Sequence, residues 1–155
     1  MAGGVLFNQS IVMKTSPKGI ALIKQFEGLR LKAYRCPGGV WTIGYGHTAG
    51  VKRGMVITES QAEEFLRSDL AVLENAVNDQ KLDLTQNMFD ALVSFTFNVG
   101  VGNFRCSTLL AKIKADPWDN SIMDEFLRWV YSKGRVLTGL QRRRLAEMKL
   151  YFSKD

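Results

Sequence analysis

Long apolar runs are missing from this 155-residue chain. No stretch approaches the ~18 residues that a bilayer-spanning helix needs, so the sequence offers no transmembrane segment. Cysteine is scarce. Cys36 and Cys106 are the only two and lie far apart, which excludes a disulfide-stapled scaffold and leaves both thiols expected free. Histidine is scarcer still, with His47 alone. No His/Cys spacing of a metal site occurs, so no metal is expected. A P-loop, a dinucleotide-binding glycine fingerprint and an RNA-binding aromatic motif are all lacking, and no cofactor is expected. Internal repeats and low-complexity tracts are absent as well.

The N-terminal stretch MAGGVLFNQSIVMKTSPKG has no basic n-region, no continuous apolar h-region and no small-residue cleavage site. It reads as neither a secretory signal nor an anchor. Met13 is a candidate second start. Residues 1–15 are accordingly expected to form a leader or extension, with one domain over 16–155.

The sequence does contain material for a core, with 46% hydrophobic residues and 10% aromatics, the composition of a folded domain. The net charge of +6 draws the chain toward polyanions such as nucleic acid, anionic lipid or an acidic wall polymer. With no nucleic-acid-binding motif present, a nucleic-acid partner has only charge behind it, and none is expected.

Local signals divide the chain into elements. Ser16-Pro17 is a helix start, with Ser as N-cap and Pro at the first helical position. Ile20, Ile23 and Glu27 share a face, with Leu22, Phe26 and Leu29 widening the apolar arc, and Gly28 ends the helix. The runs LKAYR and VWTIGYG are β-forming and flank the turn CPGG. Thr58 with Gln61 makes a capping box for a helix over 58–77. Residues 85–99 are apolar nearly all round, the mark of a buried central helix, stopped by Gly100 and Gly102. Further helices are expected over 107–114, 119–131 and 138–152. The last is expected to bury Leu140, Leu145, Met148 and Phe152 and to expose Arg142, Arg143, Arg144 and Lys149. The sum is an α+β fold: a small β-hairpin lobe and a larger helical lobe with a cleft between them.

Residues 26–48, FEGLRLKAYRCPGGVWTIGYGHT, concentrate the unusual chemistry. Glu27 stands at a helix end beside apolar residues with a glycine-rich hairpin to follow. A carboxyl stripped of water holds its proton more firmly, and proton donation to a leaving oxygen is what glycosidic cleavage requires. A surface Glu that happens to follow Phe26 is the plainer alternative. Asp69 lies beside an apolar stripe and needs a partner, which His47 can supply.

The spacing Glu27, eight residues, Cys36, five residues, Thr42 resembles that of the phage-type lysozymes, or endolysins, of the T-even and lambdoid coliphage kind. The segments TIGYGHT, SDL, FDALVSFTFNVG, STLL and GLQRRRLAE are similar to family segments in the same order. This resemblance, over about residues 16–152, implies a lysozyme-like fold and a muramidase acting on peptidoglycan during host lysis. By position it implies Glu27 as general acid and Thr42 as the residue holding water or sugar. Cys36 falls where most members carry Asp, and would act as base or as nucleophile, with Arg35 available to lower its pKa. Substrate contacts are expected at Asn98, Tyr45 and Gly44, and a structural His47–Asp69 pair is implied. The family reading further implies a monomer held in the host cytoplasm until a holin gives it access to periplasmic peptidoglycan. Two rivals stand beside it: a wall-binding module without turnover, and a membrane-disrupting protein acting through its C-terminal helix.

Overall fold

The computed structural model describes residues 12–154. In chain order the elements are α1 (Pro17–Glu27), β1 (Arg30–Arg35), β2 (Trp41–Gly44), α2 (Glu59–Asn78), α3 (Gln86–Val99), α4 (Val101–Cys106), α5 (Thr108–Ala115), α6 (Ile122–Leu127), β3 (Tyr131–Ser132), β4 (Arg135–Val136) and α7 (Thr138–Tyr151). The class is α+β, as the periodicities predict. Most of the expected leader lies outside the described residues. Its last part is tied to α2: the Met13 N–H donates to Asn78 Oδ1 (3.0 Å), and the Thr15 N–H donates to Glu74 Oε2 (2.7 Å).

The capping signals place their helices well. Ser16 caps α1, and Gly28 ends it at φ 71°. Thr58 and Gln61 make both bonds of the capping box at α2. Thr85 caps α3, which ends at Gly100. The α3 helix is buried from Asn87 to Thr96, with Met88, Leu92, Val93 and Phe95 in the core formed with Ile23, Leu66, Leu70, Phe104, Phe126 and Tyr151. Its N-terminal end presses on α1 closely. A β-carbon at Gly19 would lie 2.7 Å from Asp90 Cγ, so only glycine fits there.

The front sheet pairs β1 with β2 antiparallel, in the register Arg30↔Gly44, Tyr34↔Thr42 and Arg35↔Trp41 with a bulge between. Residues 55–57 return along the other side of β1. The Ala33 N–H donates to Met55 O and the Ile57 N–H to Leu31 O, both at 2.9 Å.

Several expectations fail, each for a physical reason. Gly100 ends α3, but Gly102 does not act as a stop: it sits inside α4, which is pinned by buried Phe104. The helix expected over 119–131 is only α6. After it the chain turns through Lys133 (φ 50°) and Gly134 (φ 78°) into a second hairpin, β3–β4. Lysine at positive φ gives no warning in sequence, so this hairpin was illegible. Leu29 is exposed rather than part of the α1 apolar face.

The largest correction concerns α7. Its buried residues are Arg143, Arg144, Glu147 and Tyr151, whereas Leu145 is 41% exposed. Met148 and Phe152 do pack against the core as expected, but the most buried part of the helix is polar, because the charges turned inward are paired with one another. Leu145→Gln should therefore shift stability by no more than about 0.5 kcal/mol. Glu147→Leu, which leaves Arg144 without an anion and Arg143 with Glu27 alone, should cost about 3–5 kcal/mol. Urea unfolding midpoints of the two variants check this ordering.

Candidate active site

Glu27 is the last residue of α1, held there by the glycine stop that follows it. Its side chain keeps 18% of its surface exposed, and Arg143 Nη1 donates to its Oε2 at 2.5 Å. The other oxygen faces the loop after β2: a β-carbon built on Gly46 would stand 2.5 Å from Glu27 Oε1. Gly46, at φ 75°, is thus the position at which the hairpin can be laid against the carboxylate. Glu27 has a charged partner in addition to the apolar neighbours expected of it. Phe26 is adjacent, but its ring lies near the Arg143 guanidinium (5.7 Å).

Arg143 is itself held. Its Nε donates to Glu147 Oε2 (3.2 Å) and its Nη2 to the Ser94 carbonyl (3.1 Å), while Ser94 Oγ donates to Glu147 Oε2 (2.5 Å). Arg144 donates to Glu147 Oε1, to the Trp129 carbonyl and to Asn98 Oδ1. Glu147 is fully buried, and burial pushes its carboxyl above the ordinary range while Arg144 and Arg143 pull it back. Burial likewise lowers Arg144, opposed by Glu147. With hydrogen-bonded geometry on every side, the cluster is best satisfied as ion pairs.

Cys36 follows β1 directly and opens the turn, its carbonyl accepting from Gly39 N–H (2.8 Å) and its own N–H donating to Val40 O (3.0 Å). The thiol lies below its ordinary pKa. The backbone at Val40 is the largest cause, then the backbone at Gly38, with the Thr42 hydroxyl adding to them and burial opposing. Arg35 is not among the causes. Its guanidinium lies over the Trp41 ring (5.4 Å), which corrects the expected charge effect. Thr42, on β2, is buried and donates from Oγ1 to Val40 O (3.0 Å). Cys36 and Thr42 are therefore brought together at one end of the hairpin.

The remaining expected residues divide. His47 Nδ1 meets Asp69 Oδ2 at 2.8 Å, and the imidazole stacks on Phe65 with ring centroids 4.3 Å apart. This joins hairpin to α2. Asn98 is exposed near the end of α3 and accepts from Arg144. It borders a surface pocket of about 570 Å³ shared with Asn103, Arg128 and Tyr131. Gly44 and Tyr45 face inward. A β-carbon on Gly44 would touch Ala62 (3.4 Å), and Tyr45 is 7% exposed with Lys24 Nζ 5.2 Å from its ring centroid. Neither presents a face broad enough to stack a sugar.

Sequence reasoning missed Gly46 as the contact for Glu27, and Ser94 and Glu147 as its support. Arg143 and Arg144 it placed in solvent. One signal was available: Arg143 and Glu147 stand four apart on a helix, the spacing at which a charge pair meets.

The phage lysozyme family profile matches residues 24–147. An endolysin of Acyrthosiphon pisum secondary endosymbiont phage 1 is 47% identical over 91% of this chain and 99% of its own length. An endolysin of Bacillus phage B103 is 44% identical over 92% of this chain, which spans 56% of that relative. A SAR-endolysin of Enterobacteria phage P21 is 34% identical over 97% of this chain and 89% of its own length. Among solved structures, the muramidase domain of SpmX from Asticaccaulis excentricus superposes with a TM-score of 0.83 at 39% identity. That match covers 91% of this chain and 99% of that one. The fold and its relatives define a lysozyme-type glycoside hydrolase of cell lysis, of the endolysin and muramidase kind. The chain belongs to the phage lysozyme family.

The thiol's surroundings carry a consequence for reactivity. A depressed pKa raises the thiolate fraction at a given pH. In a Cys106→Ser background, alkylation of Cys36 by iodoacetamide should reach half its limiting rate at a lower pH than alkylation of a free model thiol. A midpoint equal to or above that of the model thiol would contradict the assignment of these hydrogen bonds.

Proposed function

We propose that the chain is a muramidase that cleaves the β-1,4 bond between N-acetylmuramic acid and N-acetylglucosamine, with Glu27, Cys36 and Thr42 as its catalytic residues. The observation that carries this reading is the clamping of Glu27 between Arg143 and Gly46. It fixes a carboxyl at the junction of the helices with the hairpin that carries Cys36 and Thr42. Protonation of the glycosidic oxygen by Glu27 breaks the bond to the sugar carbon as positive charge develops there.

Cys36 then acts in one of two ways. As a thiolate it attacks the anomeric carbon to give a glycosyl-enzyme that water later hydrolyses, with retention; as a base it activates water directly, with inversion. Thr42 holds the water or orients the sugar. Asn98 is proposed as a sugar contact. Neither route calls for a metal or a cofactor.

Phage endolysins act on the cell wall, and peptidoglycan is the partner. Within that frame the enzyme is proposed to act as a monomer that waits in the host cytoplasm for holin-dependent access to the wall. No described helix is long and apolar enough to cross a membrane. Relatives bearing the SAR-endolysin name point to a second route of release.

Glu27→Gln should fold normally and lose about 10²–10⁴ in wall-clearing rate, the span of a lost general acid. Mass spectrometry of digested sacculi should give products ending in reducing muramic acid. Anhydro-muramic ends would make the enzyme a lytic transglycosylase instead. Full clearing by Glu27→Gln would favour membrane disruption over hydrolysis.

A further inference from the structure

The charge of this molecule is concentrated in one place. Residues 28–57 hold five of the chain's 21 cations, Arg30, Lys32, Arg35, Lys52 and Arg53, and none of its 15 anions. The rest of the sequence is nearly balanced, so the β lobe carries almost the whole net charge of +6. All five cations are exposed. None takes part in an ion pair among the described residues. A folded protein that wanted only solubility would intersperse both signs.

The cations are also organised. Arg30 lies over Tyr34 (4.7 Å) and Arg35 over Trp41 (5.4 Å). Stacking of this kind holds a guanidinium plane while leaving its N–H edge free for oxyanions. Lys52 and Arg53 are carried by a turn that Gly54 allows at φ 84°, closed by Met55 N–H to Lys52 O at 3.2 Å. The chain leaving that turn pairs with β1, which sets Val56 opposite Lys32. One continuous ribbon therefore bears Lys32, Lys52 and Arg53.

Exposed aliphatic side chains lie among the cations. Val40 is 50% and Val56 64% exposed, and Leu29 and Leu31 are also uncovered. A soluble polyanion needs the charges but has no use for these. An anionic bilayer surface uses both, because phosphates attract the cations and shallow apolar side chains enter the headgroup region.

We propose that the outer surface of the β lobe, centred on Lys32, Lys52, Arg53 and Val56, docks the protein on anionic phospholipid membrane. The occupant is the lipid headgroup layer rather than a soluble phosphate polymer. None of these side chains belongs to the site built around Glu27, so docking and hydrolysis are separable.

The test uses the full chain and sedimentation with large unilamellar vesicles of phosphatidylglycerol and phosphatidylcholine, against vesicles of phosphatidylcholine alone. The triple variant Lys32→Gln, Lys52→Gln, Arg53→Gln should lose about tenfold or more in partitioning to anionic vesicles. A control of equal net charge, Arg105→Gln, Lys114→Gln, Lys149→Gln, should lose far less. Val56→Ser should weaken vesicle binding several-fold and leave binding to inorganic polyphosphate unchanged. All variants should hydrolyse solubilised wall fragments at the wild-type rate, which also reports that they fold. Equal losses in the two triple variants would reduce the effect to net charge and overturn the proposal. So would Val56→Ser binding vesicles like wild type, tighter binding to polyphosphate than to vesicles, or no vesicle binding at all.

Discussion

Two arginines and a glutamate, buried on one face of a helix, govern how the parts of this lysozyme are joined. Arg143 reaches from α7 to Glu27 at the end of α1 and is held from behind by Glu147 and by the Ser94 carbonyl of α3. Arg144 ties the same carboxylate to Trp129 and Asn98. Such a cluster need add little net stability, since desolvation opposes attraction. It does fix geometry, because each charge has only one arrangement in which it is satisfied. The fork of a guanidinium is suited to this, since its several N–H groups point at several acceptors at once.

The hairpin complements that arrangement from the other side. Gly46 lets the chain lie against Glu27, and the His47–Asp69 contact with its stacked Phe65 fastens the loop to α2. Cys36 and Thr42 then project from a strand pair whose position is set at both ends. The backbone around the turn holds the thiol below its ordinary pKa, so the local chain conformation, more than any charged neighbour, sets the state of the sulfur. One lobe thus holds both a proposed half of the chemistry and nearly all of the net charge.

Much of this was legible in the residues alone. Ser16, Thr58 and Thr85 announce their helices because capping is local chemistry: a side-chain oxygen meets an N–H three residues on. The all-apolar run at 85–99 could only be a buried helix. His47 and Asp69, read as a pair, do meet between hairpin and α2; Cys36 and Thr42 come together at one end of the hairpin, while Glu27 meets Arg143 and Gly46. The failures share one cause, which is tertiary pairing. The inward face of α7 is polar and becomes tolerable only when Glu147, Ser94 and Glu27 arrive from distant sequence. The β3–β4 turn rests on a lysine at positive φ. Gly44 and Tyr45 were read as open to sugar, but strand pairing and α2 cover them.

If the ionic link from α7 positions the acid, a variant that keeps the charge but cannot bridge should fail in the chemical step. Arg143→Lys is that variant, since a single ammonium reaches Glu27 or Glu147 but does not grip both. The decisive measurement is its kcat and KM on soluble peptidoglycan fragments, at a temperature where circular dichroism shows it folded. The account predicts kcat lower by roughly 10- to 100-fold with KM little changed, the sign of a misplaced reacting group. A folded Arg143→Lys enzyme with wild-type kcat would contradict it.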